Sequence, residues 1–210
     1  MTADSKAYFA EVATQWDTLR TGFFSEHVRE VAYAAAEIQQ GKTAADIGAG
    51  TGFMTEGLVE RGVDVIAVDQ SEAMLDEMRR KLPPDAAVEY RLAQADQQIP
   101  LPDQSVDYAF ANMYLHHVEM PQQAIQEMAR IVRPGGQVVI TDLDEHNFAF
   151  LRTEHNDRWM GFNREAIQDW FMEARLKNVR VDCVGEQCCD TSCDGLTASQ
   201  ISIFVASGEK

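Results

Sequence analysis

The chain has 210 residues, with 18 Lys+Arg against 34 Asp+Glu and a formal net charge of −16. No basic run is long enough to grip a phosphate backbone, so nucleic acid and anionic membrane are not expected as partners, and the length suits one well-packed α/β domain better than two. The apolar stretches fall far short of the roughly 20 residues that span a bilayer, and Met1 to Ala10 lacks a cationic start followed by an apolar core, so a soluble cytoplasmic protein is expected.

Residues Ala7 to Leu19 carry Tyr8, Phe9, Val12, Trp16 and Leu19 at helical spacing, which predicts an amphipathic helix with an aromatic face. A second helix is expected from Ser25, as N-cap, to Gln40, with Gly41 as its stop. Residues 1–41 thus read as a helical appendage, expected to fold over a ligand site as a lid. A strand (Thr43 to Ile47), a glycine turn, a helix (Met54 to Arg61) and a strand (Val63 to Val68) follow. Ser71 caps a helix through Lys81, with Glu72 in its first turn and Arg79, Arg80 and Lys81 in its last, which suits the helix dipole. Strands are expected at Ala87 to Leu92, Val106 to Asn112 and Gln137 to Thr141, with a helix from Pro121 to Val132 and a turn at Arg133-Pro134-Gly135-Gly136. Beyond Asp142 the pattern is irregular up to a helix from Asn163 to Leu176. Two last strands, Val179 to Val184 and Ile201 to Ala206, flank a cysteine-bearing connection. Alternating strands and helices imply a parallel sheet.

The organising feature is Asp46-Ile47-Gly48-Ala49-Gly50-Thr51-Gly52, where an apolar run ends in an acid and breaks into a glycine-spaced turn. Alternate glycines permit positive φ and remove the Cβ atoms that would hold a ligand away from the backbone. The spacing Gly-x-Gly-x-Gly differs from the dinucleotide fingerprint Gly-x-Gly-x-x-Gly, and an ordinary βα turn is the competing reading. In open parallel sheets ligands sit beyond the carboxyl ends of the strands. Asp69, ending the second strand, stands where an acid takes a ribose diol. Asp96, beside Gln97 after the third strand, reads either as a partner for a purine amine or as a loop acid.

These pieces, with Val68-Asp69-Gln70-Ser71, Met74-Leu75, Ile99-Pro100-Leu101-Pro102-Asp103, Leu115-His116-His117 and Arg133-Pro134-Gly135-Gly136, resemble the class I S-adenosylmethionine-dependent methyltransferases of the type 11 group. The resemblance covers about Lys42 to Asp142. Toward both ends, Phe9 through Arg20 and the segments Thr141 to His146 and Arg158 to Phe162 are similar to methyltransferase domains fused to ArsR-type repressors. The resemblance implies a Rossmann-like, seven-stranded, mostly parallel sheet with an antiparallel last strand, helices on both faces, and S-adenosyl-L-methionine over the glycine turn. It also implies that residues 42–142 form the cofactor-binding core and residues 143–210 the substrate side. Carried over residue by residue, Asp46 and Gly48 meet the methionine amino group, and Gly50 and Gly52 give backbone clearance. Asp69, with Gln70 and Met74 beside it, takes the ribose, Asp96 and Gln97 the adenine, and Asn112 and Leu115 flank the methionine half.

For the methyl acceptor, candidate bases are His116, His117, His146 and Asp144, because an imidazole accepts a proton at neutral pH. His116 and His117 are expected to shape the cofactor pocket. His146, past the fifth strand, is the preferred base, with a surface loop histidine as the alternative. Asp142, Asp144 and His146 alternate in a way that suits a hard or borderline metal if the segment is extended. All four cysteines, Cys183, Cys188, Cys189 and Cys193, lie near the C-terminus. They read either as soft ligands holding a thiophilic metalloid such as arsenite beside the methyl group, with Cys188, Cys189 and Cys193 as its donors, or as idle thiols or a zinc clip. A small molecule, a quinone-like phenol among them, is the other acceptor class, and a non-catalytic binding protein on the same fold is the third reading.

Overall fold

The computed structural model describes residues 3–94, 98–191 and 197–210. Its centre is β1 (Thr43–Ile47), whose small apolar side chains let it run between β2 (Asp64–Asp69) and β4 (Val106–Asn112), parallel to both. β3 (Val88–Leu92) extends the sheet beyond β2, and β5 (Val132–Leu143) beyond β4. β7 (Ala198–Glu209) pairs antiparallel with β5, and β6 (Lys177–Thr191) pairs antiparallel with β7, so β6 points the same way as the first five strands. Among the described residues the sheet therefore has seven strands in the order β3-β2-β1-β4-β5-β7-β6. The order reverses between β1 and β4, and a crevice opens there beyond the strand ends.

Residue parity along the strands sorts the core into two layers. Ala45, Ile47, Val138, Ile140 and Phe204 face α6 (Pro121–Ile131) and α8 (Arg164–Glu173). Ala44, Val65, Phe110, Val139 and Ile203 face α3 (His27–Ala36) and α4 (Phe53–Glu60). Phe110 and Phe204 are fully buried, one in each layer, and each contributes roughly 1.5–3 kcal/mol by leaving water. α5 (Glu72–Lys81) closes the β2 side, capped by Ser71 Oγ, which accepts from Met74 N.

Several boundaries depart from the sequence pattern for local reasons. The first expected helix is broken into α1 (Ala3–Val12), a 3₁₀ turn (Ala13–Gln15) and α2 (Trp16–Phe23). α3 stops at Glu37, which takes φ +51°, before reaching Gly41. The Arg133-Pro134-Gly135-Gly136 turn is absorbed into β5, because Gly135 N donates to the Lys210 carbonyl and Lys210 N to that of Gly136. A short helix, α7 (Phe150–Glu154), lies in the irregular stretch after Asp142. The cysteine-bearing connection is largely strand: β6 runs through it and pairs as far as Thr191 with Ala198.

Candidate active site

At the end of β1 the backbone turns at Gly48 with φ +70°, and a Cβ there would stand 2.3 Å from Tyr114 Cδ2. At Gly50, φ +54°, a Cβ would meet only Trp16 Nε1, at 3.9 Å. The turn is tied to β2 by Gly48 N and Ala49 N, which both donate to the Val68 carbonyl. Asp69 braces it from beside: its carboxylate accepts from Gly50 N and from Ser71 N, both at 2.8 Å. Burial raises the Asp69 pKa, against the pull of these backbone donors.

A cavity enclosing about 590 Å³, part of it open to solvent, lies over this turn. Gly48, Gly50, Asp69, Met74 and Asn112 line it. Asp46, Gly52, Gln70 and Leu115 lie outside that lining. Asp46 is buried under the turn, accepts from Thr55 Oγ1 at 2.7 Å, and is pushed up to about 7 by burial. Leu115 N donates to Asp142 Oδ2. The expected adenine partners Asp96 and Gln97 lie outside the described residues.

The N-terminal helices roof this cavity, contributing Phe9, Trp16 and Arg20. α2 is latched there by Asp17, which accepts from Thr51 Oγ1 at 2.6 Å and from Lys81 Nζ at 2.8 Å. Burial opposes the charge on Asp17, but these two partners outweigh it and hold the carboxyl below its usual range. Arg20 stacks over the Phe53 ring at 4.2 Å and donates Nη2 to Glu26 at 3.1 Å. Its buried Nε and Nη1 have no hydrogen-bond partner among the described residues. Helical periodicity placed the aromatic residues of this segment and missed Arg20, whose one signal was a cation on an otherwise apolar and acidic face.

A second cavity, enclosing about 520 Å³, adjoins the first and shares Phe9, Trp16, Phe24, Met113 and His117 with it. Its other walls include Tyr8, Phe23, Leu143 and Leu151, with His116, His155, Asp157 and Cys188 supplying polar groups. Phe9 meets Trp16 and His117 edge-to-face at 5.3 and 5.1 Å between centroids, a preferred aromatic geometry.

The two adjacent histidines are held in opposite protonation states. His116 Nδ1 lies 2.6 Å from Asp142 Oδ1, and its Nε2 lies 3.7 Å from Asp157 Oδ1. Burial disfavours charge on this ring, yet the two carboxylates outweigh burial and lift it to about 9. His117 is driven well below its ordinary value, by burial first and then by the charge on His116, and it stays neutral. Its Nδ1 faces the Asn156 carbonyl at 3.4 Å, which leaves the lone pair on Nε2. His116, His117 and Asp157 offer ligand atoms all within 4.8 Å of one another.

His146, the expected base, lies apart from the glycine turn. His146 lines neither cavity; it sits in a separate depression with Glu119, Glu145 and Arg158, where its backbone N–H donates to the Met160 carbonyl. The alternating metal set also separates. Asp142 serves His116 and two backbone amides, while Asp144 pairs with the Arg164 guanidinium. The cysteines diverge as well. Cys188 reaches the second cavity and packs on the α3 side of the sheet, whereas Cys183 pairs with Phe204 on the α8 layer and is exposed. Cys189, next to Cys188 on a strand, faces the opposite way and is also exposed. Cys193 lies outside the described residues. Among the described residues no cysteine joins a group of three ligand atoms.

A parallel sheet with one antiparallel strand, a glycine turn at the switch point and an acid after β2 define a class I, S-adenosylmethionine-type methyltransferase fold. Residues 45–140 match the family model described as "Methyltransferase domain". The chain is 47% identical over 93 residues to the uncharacterized methyltransferase Rv3342 of Mycobacterium tuberculosis, covering 44% of this chain and 36% of that one. It is 30% identical over 158 residues to a demethylmenaquinone methyltransferase of Renibacterium salmoninarum, covering 73% and 65%. The chain thus matches less than two thirds of either relative's length. Among solved structures, a phosphoethanolamine N-methyltransferase 2 of Haemonchus contortus, in complex with phosphomonomethylethanolamine and S-adenosylhomocysteine, shares the fold. Its TM-score is 0.71 at 17% identity, over 87% of this chain and 52% of that one. No described helix is long and apolar enough to cross a membrane.

Proposed function

We propose that the chain transfers a methyl group from S-adenosylmethionine, bound over the glycine turn, to a flat, largely apolar small molecule with an acidic hydroxyl, of the phenol or quinol kind, held in the second cavity. The observation that carries this reading is the wall shared by the two cavities, Phe9, Trp16, Phe24, Met113 and His117. The name of the Renibacterium relative agrees with a quinone-like acceptor. The donor supplies an electrophilic methyl carbon on a positively charged sulfur. Toward it, Gly48 and Gly50 allow close backbone approach, Asp69 offers its remaining lone pairs to the ribose diol, and Met74 and Asn112 complete the walls. Behind the turn, Asp46, which burial lifts to about 7, adds negative charge on the methionine side when it ionises.

In the second cavity the aromatic walls exclude water and align the acceptor. His117 Nε2 would take the hydroxyl proton of an acceptor held at the shared wall, and the bound donor would supply the methyl group to that oxygen. A base so weakened by burial and by His116 suits a hydroxyl that is itself acidic. The metalloid acceptor is not part of this reading, since the described cysteines face different ways.

The test is S-adenosylhomocysteine production with phenols, quinols, small thiols and arsenite as acceptors, alongside calorimetric titration with S-adenosylmethionine. Turnover with the hydroxylated aromatics is expected. Donor binding without turnover on any acceptor would indicate a binding protein, and absence of donor binding would remove the reading altogether.

A further inference from the structure

Three side chains of the kind that bind metals meet in the wall of the second cavity. His116 and His117 stand in a 3₁₀ turn (Leu115–His117) with ring centroids 4.0 Å apart, and Asp157 follows α7 in the chain. Arg158 N and Trp159 N both donate to the His116 carbonyl, which holds Asp157 against the turn. His116 Nε2 lies 3.7 Å from Asp157 Oδ1, and His117 Nδ1 lies 3.9 Å from that same oxygen. Both distances are too long for hydrogen bonds. Two donors that share a zinc-like ion at about 2.0–2.2 Å and a tetrahedral angle stand about 3.3–3.6 Å apart, so these atoms are spaced like ligands opened slightly around a vacant centre.

The surroundings suit the same occupant. Asp142 Oδ1 holds His116 Nδ1 at 2.6 Å, as an outer carboxylate orients a metal-binding imidazole and turns its Nε2 toward the ion. Asp142 and Asp157 are both buried, and a divalent ion brings as many positive charges as these carboxylates bring negative ones. His116, His117 and Asp157 all line the second cavity, so three protein ligands leave a coordination position open toward it.

We infer that His116, His117 and Asp157 form a binding site for a divalent d-block cation of the zinc kind, and that its occupancy switches off methyl transfer. Imidazole and carboxylate donors without a thiolate suit such an ion. The proton that His116 carries on Nε2 leaves to solvent as the ion takes its place. Coordination by His117 Nδ1 replaces the 3.4 Å contact with the Asn156 carbonyl, and the ring proton moves to Nε2. In that tautomer Nε2 is a donor and cannot take the acceptor's proton.

Inhibition rests on the methyl-transfer reading above, whereas binding of the ion does not, and the experiment keeps the two apart. The chelator-treated chain is titrated with cobalt(II) by visible absorption and with zinc by calorimetry, with thermal unfolding as the check on each variant. One ion per chain is expected, with cobalt d–d bands and no thiolate charge-transfer band. Asp142→Asn, which keeps the shape of the outer partner, should weaken binding roughly 10- to 100-fold, and Asp157→Ala and His117→Ala should each weaken it by about 100-fold or more. In the wild-type chain, one equivalent of zinc should shift the imidazole nitrogen resonances of both histidines, a readout that needs no variant to fold. Saturating zinc should lower S-adenosylhomocysteine production by about tenfold or more, and a chelator should restore it. Unchanged affinity in all three variants, a thiolate band that places the ion on the cysteines, or weak binding at many sites, as a net charge of −16 gives without a built site, overturns the inference. Tight binding with full turnover overturns the inhibitory role. A metal-free chain that turns over no acceptor removes the methyl-transfer reading and leaves the metal site standing on its binding data.

Discussion

The two cavities are built in different ways. The donor cavity grows out of one continuous stretch, β1, its turn and the end of β2, and backbone hydrogen bonds to Val68 and Asp69 set its shape. The acceptor chamber gathers its walls from the N-terminal helices, the His116-His117 turn, the segment around α7 and the middle of β6. A site drawn from one motif is preserved by local geometry, whereas one drawn from distant segments depends on how they pack. The donor end should therefore be brittle to single changes at the turn, and the acceptor end free to change specificity without loss of the donor.

The largest effect that tests this contrast is at the shared wall. Replacing His117 with Ala should lower turnover by about 10²- to 10⁴-fold, as for loss of a general base, while donor affinity by calorimetry stays within a few-fold. A parallel collapse of donor affinity would mean that the two cavities are one site. Next, Gly48→Val drives a branched side chain into Tyr114 at a positive φ, and donor affinity should fall roughly 100-fold, read by the same titration with thermal unfolding as control. Asp69→Asn keeps the shape but weakens the acceptor of the Gly50 and Ser71 N–H bonds and of the ribose, and about a tenfold loss of donor affinity is expected.

Protonation sharpens the contrast further. His116 has a folded-state pKa of about 9, above the ordinary value of 6.5. Its ion pairs with Asp142 and Asp157 therefore contribute stability that is fully present below about pH 6.5 and fades as pH rises through about 9. Denaturant titrations from pH 6 to 10 should show this loss, and His116→Asn should flatten it. The smallest effect belongs to the cysteines. Cys183→Ser and Cys189→Ser, both exposed, should leave activity unchanged, and Cys188→Ser should alter acceptor KM by no more than a few-fold.

Much of the core was legible because its signals are local. The limits of β1 and β4 and the Ser71 cap follow from residue type and short spacing. The misread parts depend on partners far along the chain. Arg133 to Gly136 reads as a turn until Lys210 pairs with it, and the cysteine segment reads as a loop until β7 lies beside it. His146 reads as the preferred base from its place after the fifth strand, and its seat in a depression apart from both cavities cannot be seen in the sequence.

By itself the sequence determined the alternation that makes a parallel sheet, the glycine turn and the acid that follows β2, since each is a short-range consequence of backbone sterics and hydrogen bonding. Only the tertiary structure decided which histidine meets the shared wall, which cysteine reaches the second cavity, and that an arginine of the N-terminal helices is buried over the ring of Phe53. The physical reason is that protonation state, cavity shape and unmet hydrogen bonds belong to groups brought together from distant segments. No spacing along the chain encodes them.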